Sequence, residues 1–160
     1  MFPPLAFDHG IVDANAINMA INLSGGGAAN GTVAVGGGTL KVNTSISLVN
    51  QGGAAGAGTL IVTNGGMLFC SNNILKTTSI GVGTVSIANG TLVLGGTMGV
   101  ANGLAIDNFN ITNATLTLSA IGVGQPPVVV ANFSPDFVTT SNIINIGSLP
   151  AISTYPTQLL

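Results

Sequence analysis

Four stretches of this chain superpose column by column: Gly31-Thr-Val-Ala-Val-Gly-Gly-Gly-Thr-Leu-Lys-Val42, Gly58-Thr-Leu-Ile-Val-Thr-Asn-Gly-Gly-Met-Leu-Phe69, Gly83-Thr-Val-Ser-Ile-Ala-Asn-Gly-Thr-Leu-Val-Leu94 and Asp107-Asn-Phe-Asn-Ile-Thr-Asn-Ala-Thr-Leu-Thr-Leu118. They begin at positions 31, 58, 83 and 107, so the intervals are 27, 25 and 24 residues. A unit this short cannot enclose a core alone, whereas stacked units bury a continuous one. The repeat therefore points to a β-solenoid.

Within each unit, apolar residues alternate with small or polar ones, the period of a strand buried on one face. The first strand places Val33/Leu60/Val85/Phe109 and Val35/Val62/Ile87/Ile111 inward. The second, aligned without a gap, places Leu40/Met67/Leu92/Leu116 and Val42/Phe69/Leu94/Leu118 inward. Between the strands lies a Gly/Asn turn: Gly36-Gly37-Gly38, Thr63-Asn64-Gly65, Ala88-Asn89-Gly90 and Thr112-Asn113-Ala114. Asn-Gly also suits a two-residue hairpin, which would make an antiparallel meander. Recurrence of the same short turn at near-constant spacing favours a coil, in which like residues stack about 4.8 Å apart. Asn and Gly tolerate the positive φ of a sharp corner, and Ala114 suggests a slightly different one.

A less regular third segment closes each coil: Ser45–Val49, Leu75–Val82 and Met98–Ile106. Variation in repeat length is expected there. Residues 16–23, with Ile17, Met19, Ile21 and Leu23 alternating, read as a further strand, and a capping helix over 12–23 is the alternative. From Gly124 onward prolines interrupt the pattern, although 128–130 and 143–146 can still pair as edge strands. The expected organisation is a single β-helix domain, 1–160. Residues 1–30 form an N-terminal coil or cap, 31–120 the regular repeats, and 121–160 irregular proline-containing coils. The sequence Met1-Phe-Pro-Pro-Leu lacks the features of an export signal, and Thr157-Gln-Leu-Leu160 lacks a polar cap, so the chain reads as a fragment.

Composition removes several function classes. Six side chains are formally charged: Lys41, Lys76, Asp8, Asp13, Asp107 and Asp136, with no Arg or Glu. Two isolated lysines cannot supply the clustered phosphate contacts of nucleic-acid binding or a polybasic membrane surface. Gly, Asn, Thr and Ser interrupt every apolar stretch, so no run is long enough for a membrane helix. One Tyr, no Trp and six Phe do not make the aromatic girdles of a membrane barrel. The dispersed aspartates supply no carboxylate pair for glycoside hydrolysis.

Asp8, His9 and Asp13 form one small ionisable cluster, which is read as a solvated N-terminal segment; a single histidine makes a poor metal site. Gly25–Gly27 and Gly36–Gly38 are turns, since no Lys-Ser/Thr of a phosphate loop follows. Cys70, the single cysteine, follows Leu68 and Phe69 and is read as a buried, inert thiol. The outward Thr32/Thr59/Thr84 column reflects strand propensity. No catalytic, cofactor-binding or metal-ligating residue is expected, and the chain is not read as an enzyme.

The unit Gly-Thr-Leu/Val-x-Val/Ile followed by Asn-Gly-Thr-Leu-Val-Leu-Gly resembles the autotransporter-associated β-strand repeat over residues 31 to about 120. Gly83–Gly95 is the best match. Residues 145–158 also look like segments between such repeats in very large environmental bacterial proteins. The resemblance implies an all-β, right-handed parallel β-helix of the pectin-lyase-like kind, with about 4–6 coils of 24–27 residues. It further implies a passenger segment of a secreted or surface-displayed bacterial protein, extracellular or outer-membrane-associated. The function expected is structural or adhesive and non-catalytic; carbohydrate binding or processing is the alternative. Expected partners are surface glycans or host and cell-surface proteins, with end-to-end self-association a further possibility.

Overall fold

In a computed structural model, the structure describes residues 5–7, 10–21, 27–50, 55–101, 103–119, 127–136 and 141–147. The first sheet, A, stacks β1 (Leu5–Phe7), β4 (Asn30–Gly36), β7 (Ala57–Thr63), β10 (Val82–Ala88), β12 (Ile106–Thr112) and β14 (Val130–Pro135). The second, B, stacks β2 (Ile11–Ala14), β5 (Thr39–Val42), β8 (Met67–Cys70), β11 (Thr91–Leu94), β13 (Thr115–Leu118) and β15 (Ile143–Ile146). The third, C, is shorter: β3 (Ile17–Asn18), β6 (Ile46–Val49) and β9 (Ile74–Lys76). Every strand pair in these sheets is parallel and joins one coil to the next. The chain is thus a β-solenoid of about five turns, and the meander is ruled out because β4 and β5, like β10 and β11, do not pair.

The Asn/Gly corners do what the sequence requires. Gly37 (φ 76°), Asn64 (φ 52°), Asn89 (φ 53°) and Asn113 (φ 46°) are left-handed at the bend from sheet A to sheet B. Ala114 leaves this geometry intact, because the left-handed residue is Asn113 before it.

The inward columns of sheet A are as expected, with Val33, Leu60, Val85, Phe109, Val35, Val62, Ile87 and Ile111 all buried in register. Sheet B corrects one repeat. Leu68 and Cys70, not Met67 and Phe69, align with Leu40 and Val42 below and Leu92 and Leu94 above. Leu68 follows Leu60 by eight positions, where Leu40 follows Val33 and Leu92 follows Val85 by seven. The extra residue sits in the corner, where Asn64 and Gly65 (φ 80°) are both left-handed and Gly66 donates its N–H to Thr63 O at 2.8 Å. That is a type I′ turn. Gly66 then takes the stacking place of Gly38 and Gly90, passing its carbonyl to Thr91 N as theirs pass to Met67 N and Thr115 N. A one-residue slip exchanges the two faces of a strand, so Met67 and Phe69 point outward.

Length varies on the return leg from sheet B to sheet A, as expected: Leu60 follows Leu40 by twenty positions and Phe109 follows Leu92 by seventeen. The Gly66 corner and the link between β14 and β15 add length on the other leg. The 16–23 strand is corrected too. It ends at Asn18; Met19 is buried, but Ala20 turns left-handed (φ 49°) and Ile21 is exposed. No helix lies among residues 12–21, while 22–23 fall outside the described residues. The segment from β1 to β3 is therefore a first coil, not a helical cap. In the tail, β14 and β15 form a further coil, although Val128 is joined only by a bridge to Met98.

One cluster of buried aliphatic residues runs through the coils, with Phe109 its largest member. Each such side chain contributes about 1.5–3 kcal/mol relative to exposure. Phe109 also stacks on Phe133 of the next coil, ring centroids 5.4 Å apart, worth roughly 0.5–1.5 kcal/mol beyond its burial.

Candidate functional site

A buried ion pair lies inside the corner between sheets C and A, and involves residues that the sequence treated as scattered. Gly31, Gly58 and Gly83 occupy one inward column at the start of their strands. Next in that column stands Asp107, because Thr84 pairs with Asn108. The space left by Gly83 is filled by Lys76 from the end of β9: a β-carbon at Gly83 would lie 3.0 Å from Lys76 Cδ and 3.1 Å from Cγ. Lys76 Nζ then reaches Asp107 Oδ2 at 2.7 Å, its side chain 2% exposed against 32% for Asp107. The same oxygen accepts the Gly83 N–H at 2.6 Å.

This junction forms where sheet C stops. Above β9, only Met98 bridges Ile74, and Val100 leaves the wall to pair antiparallel with Leu104. Sheet C therefore supplies no strand beside Lys76 at this level, and the lysine stem fills the interior. A buried ammonium requires a counter-charge, which Asp107 provides from β12, one coil beyond Gly83. The pair stitches three consecutive coils together. Its atoms are committed to one another, which makes it a structural clasp.

Outside, the walls are laced by side-chain ladders. Asn113 Nδ2 donates to Asn89 Oδ1 at 2.7 Å, Asn110 to Ser86 Oγ at 3.0 Å, and Asn108 to Thr84 Oγ1 at 3.3 Å. Thr32, Thr59 and Thr84 do stack in register, but Asn108 and Asn132 continue their column. Cross-strand pairs of this kind contribute about 0.2–1 kcal/mol each. On sheet B, Lys41, Phe69 and Val93 share one outward column, and Met67 beside Phe69 is exposed.

Among the expected features, Asp13 lies on β2, exposed, and accepts from Asn43 Nδ2 at 2.7 Å. Asp8 and His9 fall outside the described residues. Asp13, Asp107 and Asp136 stand on different coils, and no group of three or more His, Cys, Asp or Glu occurs among the described residues. No helix among them is long and apolar enough to cross a membrane. Ser47 Oγ is buried without a hydrogen-bond partner.

Cys70 is buried at the end of β8, the third sheet-B strand, its Sγ 3.5 Å from Asn73 O and 3.7 Å from Thr44 O. Burial pushes its thiol pKa up, against smaller opposing effects of backbone hydrogen bonds. The thiolate is the reactive form, so the folded chain should react with a thiol reagent far more slowly than the chain unfolded in guanidinium. The rise in rate with pH should come later than for a free cysteine. Rapid labelling of the native protein at neutral pH would contradict this placement.

The Lys76–Asp107 clasp was missed because the two residues lie on different legs of the coil and 31 positions apart. The available signal was that Asp107 interrupts a glycine column. No protein-family model, curated protein or solved structure matches this chain.

Proposed function

We propose that this chain is a non-catalytic structural or adhesive β-helical segment of a secreted or surface-displayed bacterial protein, its repeats similar to autotransporter-associated β-strand repeats. The observation that carries the reading is the continuity of the wall. Sheets A and B each run through six strands around one aliphatic core, the corners are locked by left-handed Asn and Gly, and the largest internal polar group is a clasp between coils. Such a segment resists bending because displacing one coil breaks parallel ladders on more than one face at once. Pulling a single molecule from its two ends tests this: the coils between β4 and β13 should yield cooperatively, in one event. Gradual unravelling at forces indistinguishable from those of a disordered chain would sink the stalk reading.

The alternative, a carbohydrate-binding β-helix, draws on a specific observation. Phe69, expected in the core, lies on the outer face of sheet B between Lys41 and Val93. An aromatic ring beside an exposed cation can stack on a sugar and contact an acidic group. Saturable binding on an oligosaccharide array, lost in Phe69→Ala, would favour this reading over the stalk.

A further inference from the structure

We propose that the two ends of the solenoid are complementary and that the chain associates head to tail, the β15 edge of one copy receiving the β2 edge of the next. The observation behind this is an exposed inward face on β15, the last described strand of sheet B. Ile144 and Ile146 occupy the inward columns of Leu116 and Leu118, yet they are each 38% exposed where those leucines are 1% and 2%. Among the described residues no further strand covers them.

The backbone phase fits. In a parallel ladder, alternate residues direct their N–H and C=O to the same neighbour. Ile143 and Gly147 donate to Ala114 O and Leu118 O of β13, both at 2.8 Å, which leaves the groups of Ile144 and Ile146 at the free edge. At the other end, Thr39 N and Asn43 N bond Gly10 O and Ala14 O at 2.8 and 2.9 Å, so the groups of Ile11 and Asp13 are the ones left over. Inward residues below meeting outward residues above is the phase of every internal pair in sheet B. A second copy placed in that register continues the ladder without a shift.

The side chains fit in the same register. The outward column of sheet B reads Ile11, Thr39, Met67, Thr91, Thr115, Ile143. Isoleucine stands only at its two ends, 70% and 53% exposed, and stacking brings these two together. Ile144 falls on Val12 and Ile146 on Ala14. Asn145 falls on Asp13, whose carboxylate already accepts an amide from Asn43 in the coil above it. Sheet A takes a smaller part. Asp136 N bonds Ile111 O, so the position facing the free edge of β14 is Pro135, which has no N–H to give. The contact is consequently a reversible one centred on sheet B. Because it joins unlike surfaces, it extends into open chains and does not close as a dimer.

Equilibrium sedimentation of the 160-residue protein should show mass rising with concentration beyond the dimer. Ile11→Lys and Ile143→Lys each change an outward, exposed side chain, so circular dichroism should match the parent, and each variant alone should be monomeric. Mixed, they should form dimers and nothing larger, since each retains the one end the other lacks. A wild-type monomer at every concentration overturns the proposal. So does self-association of either variant alone, which would mean that like ends pair. The single-molecule pulling experiment is done without neighbours, so failure of association leaves the stalk reading standing, and failure of the stalk leaves this test unaffected.

Discussion

Replacing Asp107 with alanine is expected to cost about 3–5 kcal/mol of folding stability, the range for breaking a buried ion pair from one side. The variant leaves Lys76 Nζ inside the corner with its counter-ion gone and strips the Gly83 N–H of its acceptor. The loss is not a measure of the pair's net worth, and a second substitution separates the two. Lys76→Met keeps the stem that fills the space beside Gly83 and removes the charge. Combined with Asp107→Ala it should recover most of the stability, short of about 1 kcal/mol for the unpaired amide. Urea midpoints at constant slope give both numbers. If the double variant is as unstable as Asp107→Ala alone, the damage lies in something other than a stranded ammonium.

Gly58→Ala is expected to be nearly as harmful, at about 3 kcal/mol or more, beyond the usual range for overpacking. A β-carbon at Gly58 would be driven into the backbone carbonyl of Leu48, and a main-chain oxygen held in β6 cannot swing aside as a side chain can. The neighbouring members of the column show why the position is special. At Gly31 the nearest atoms stand 3.0 Å or more away, and at Gly83 they belong to the flexible stem of Lys76. Gly27→Ala is the control, since nothing lies within 4 Å of a β-carbon there; it should be neutral or slightly stabilising through the unfolded state. Equal urea midpoints for Gly58→Ala and the parent would show that the corner at Leu48 can open, and that it is not the tight point of the coil.

Sheet A was legible in the sequence almost residue by residue. Strand periodicity is local, and no residue is inserted within the sheet A strands over the four repeats. Sheet B was legible in three repeats of four. At the second, the ungapped alignment placed Met67 and Phe69 inside, and nothing in their hydrophobicity objects, since Leu68 and Cys70 are equally acceptable core residues. The doubled Gly65-Gly66 was the only local sign of an inserted turn residue. The short β3 was overread because Ile21 continues the alternation of Ile17 and Met19, although the backbone has already turned at Ala20. The outward Phe69, and with it the best argument for a sugar-binding face, followed from the tertiary register.

The amino-acid sequence alone determined the coil: the spacing of the repeats, the alternation that builds two walls, and the Asn and Gly that permit the corners, all of them properties of short segments and their neighbours in the chain. Only the tertiary structure decided what meets across coils. Lys76 faces inward two residues after Ile74 on β9, but that it would find Asp107 was set by stacking, 31 residues further along. The free edges at β2 and β15 likewise have no local signature. Their inward and outward faces, and their complementary hydrogen-bond phases, exist only once every coil between them has been counted in register.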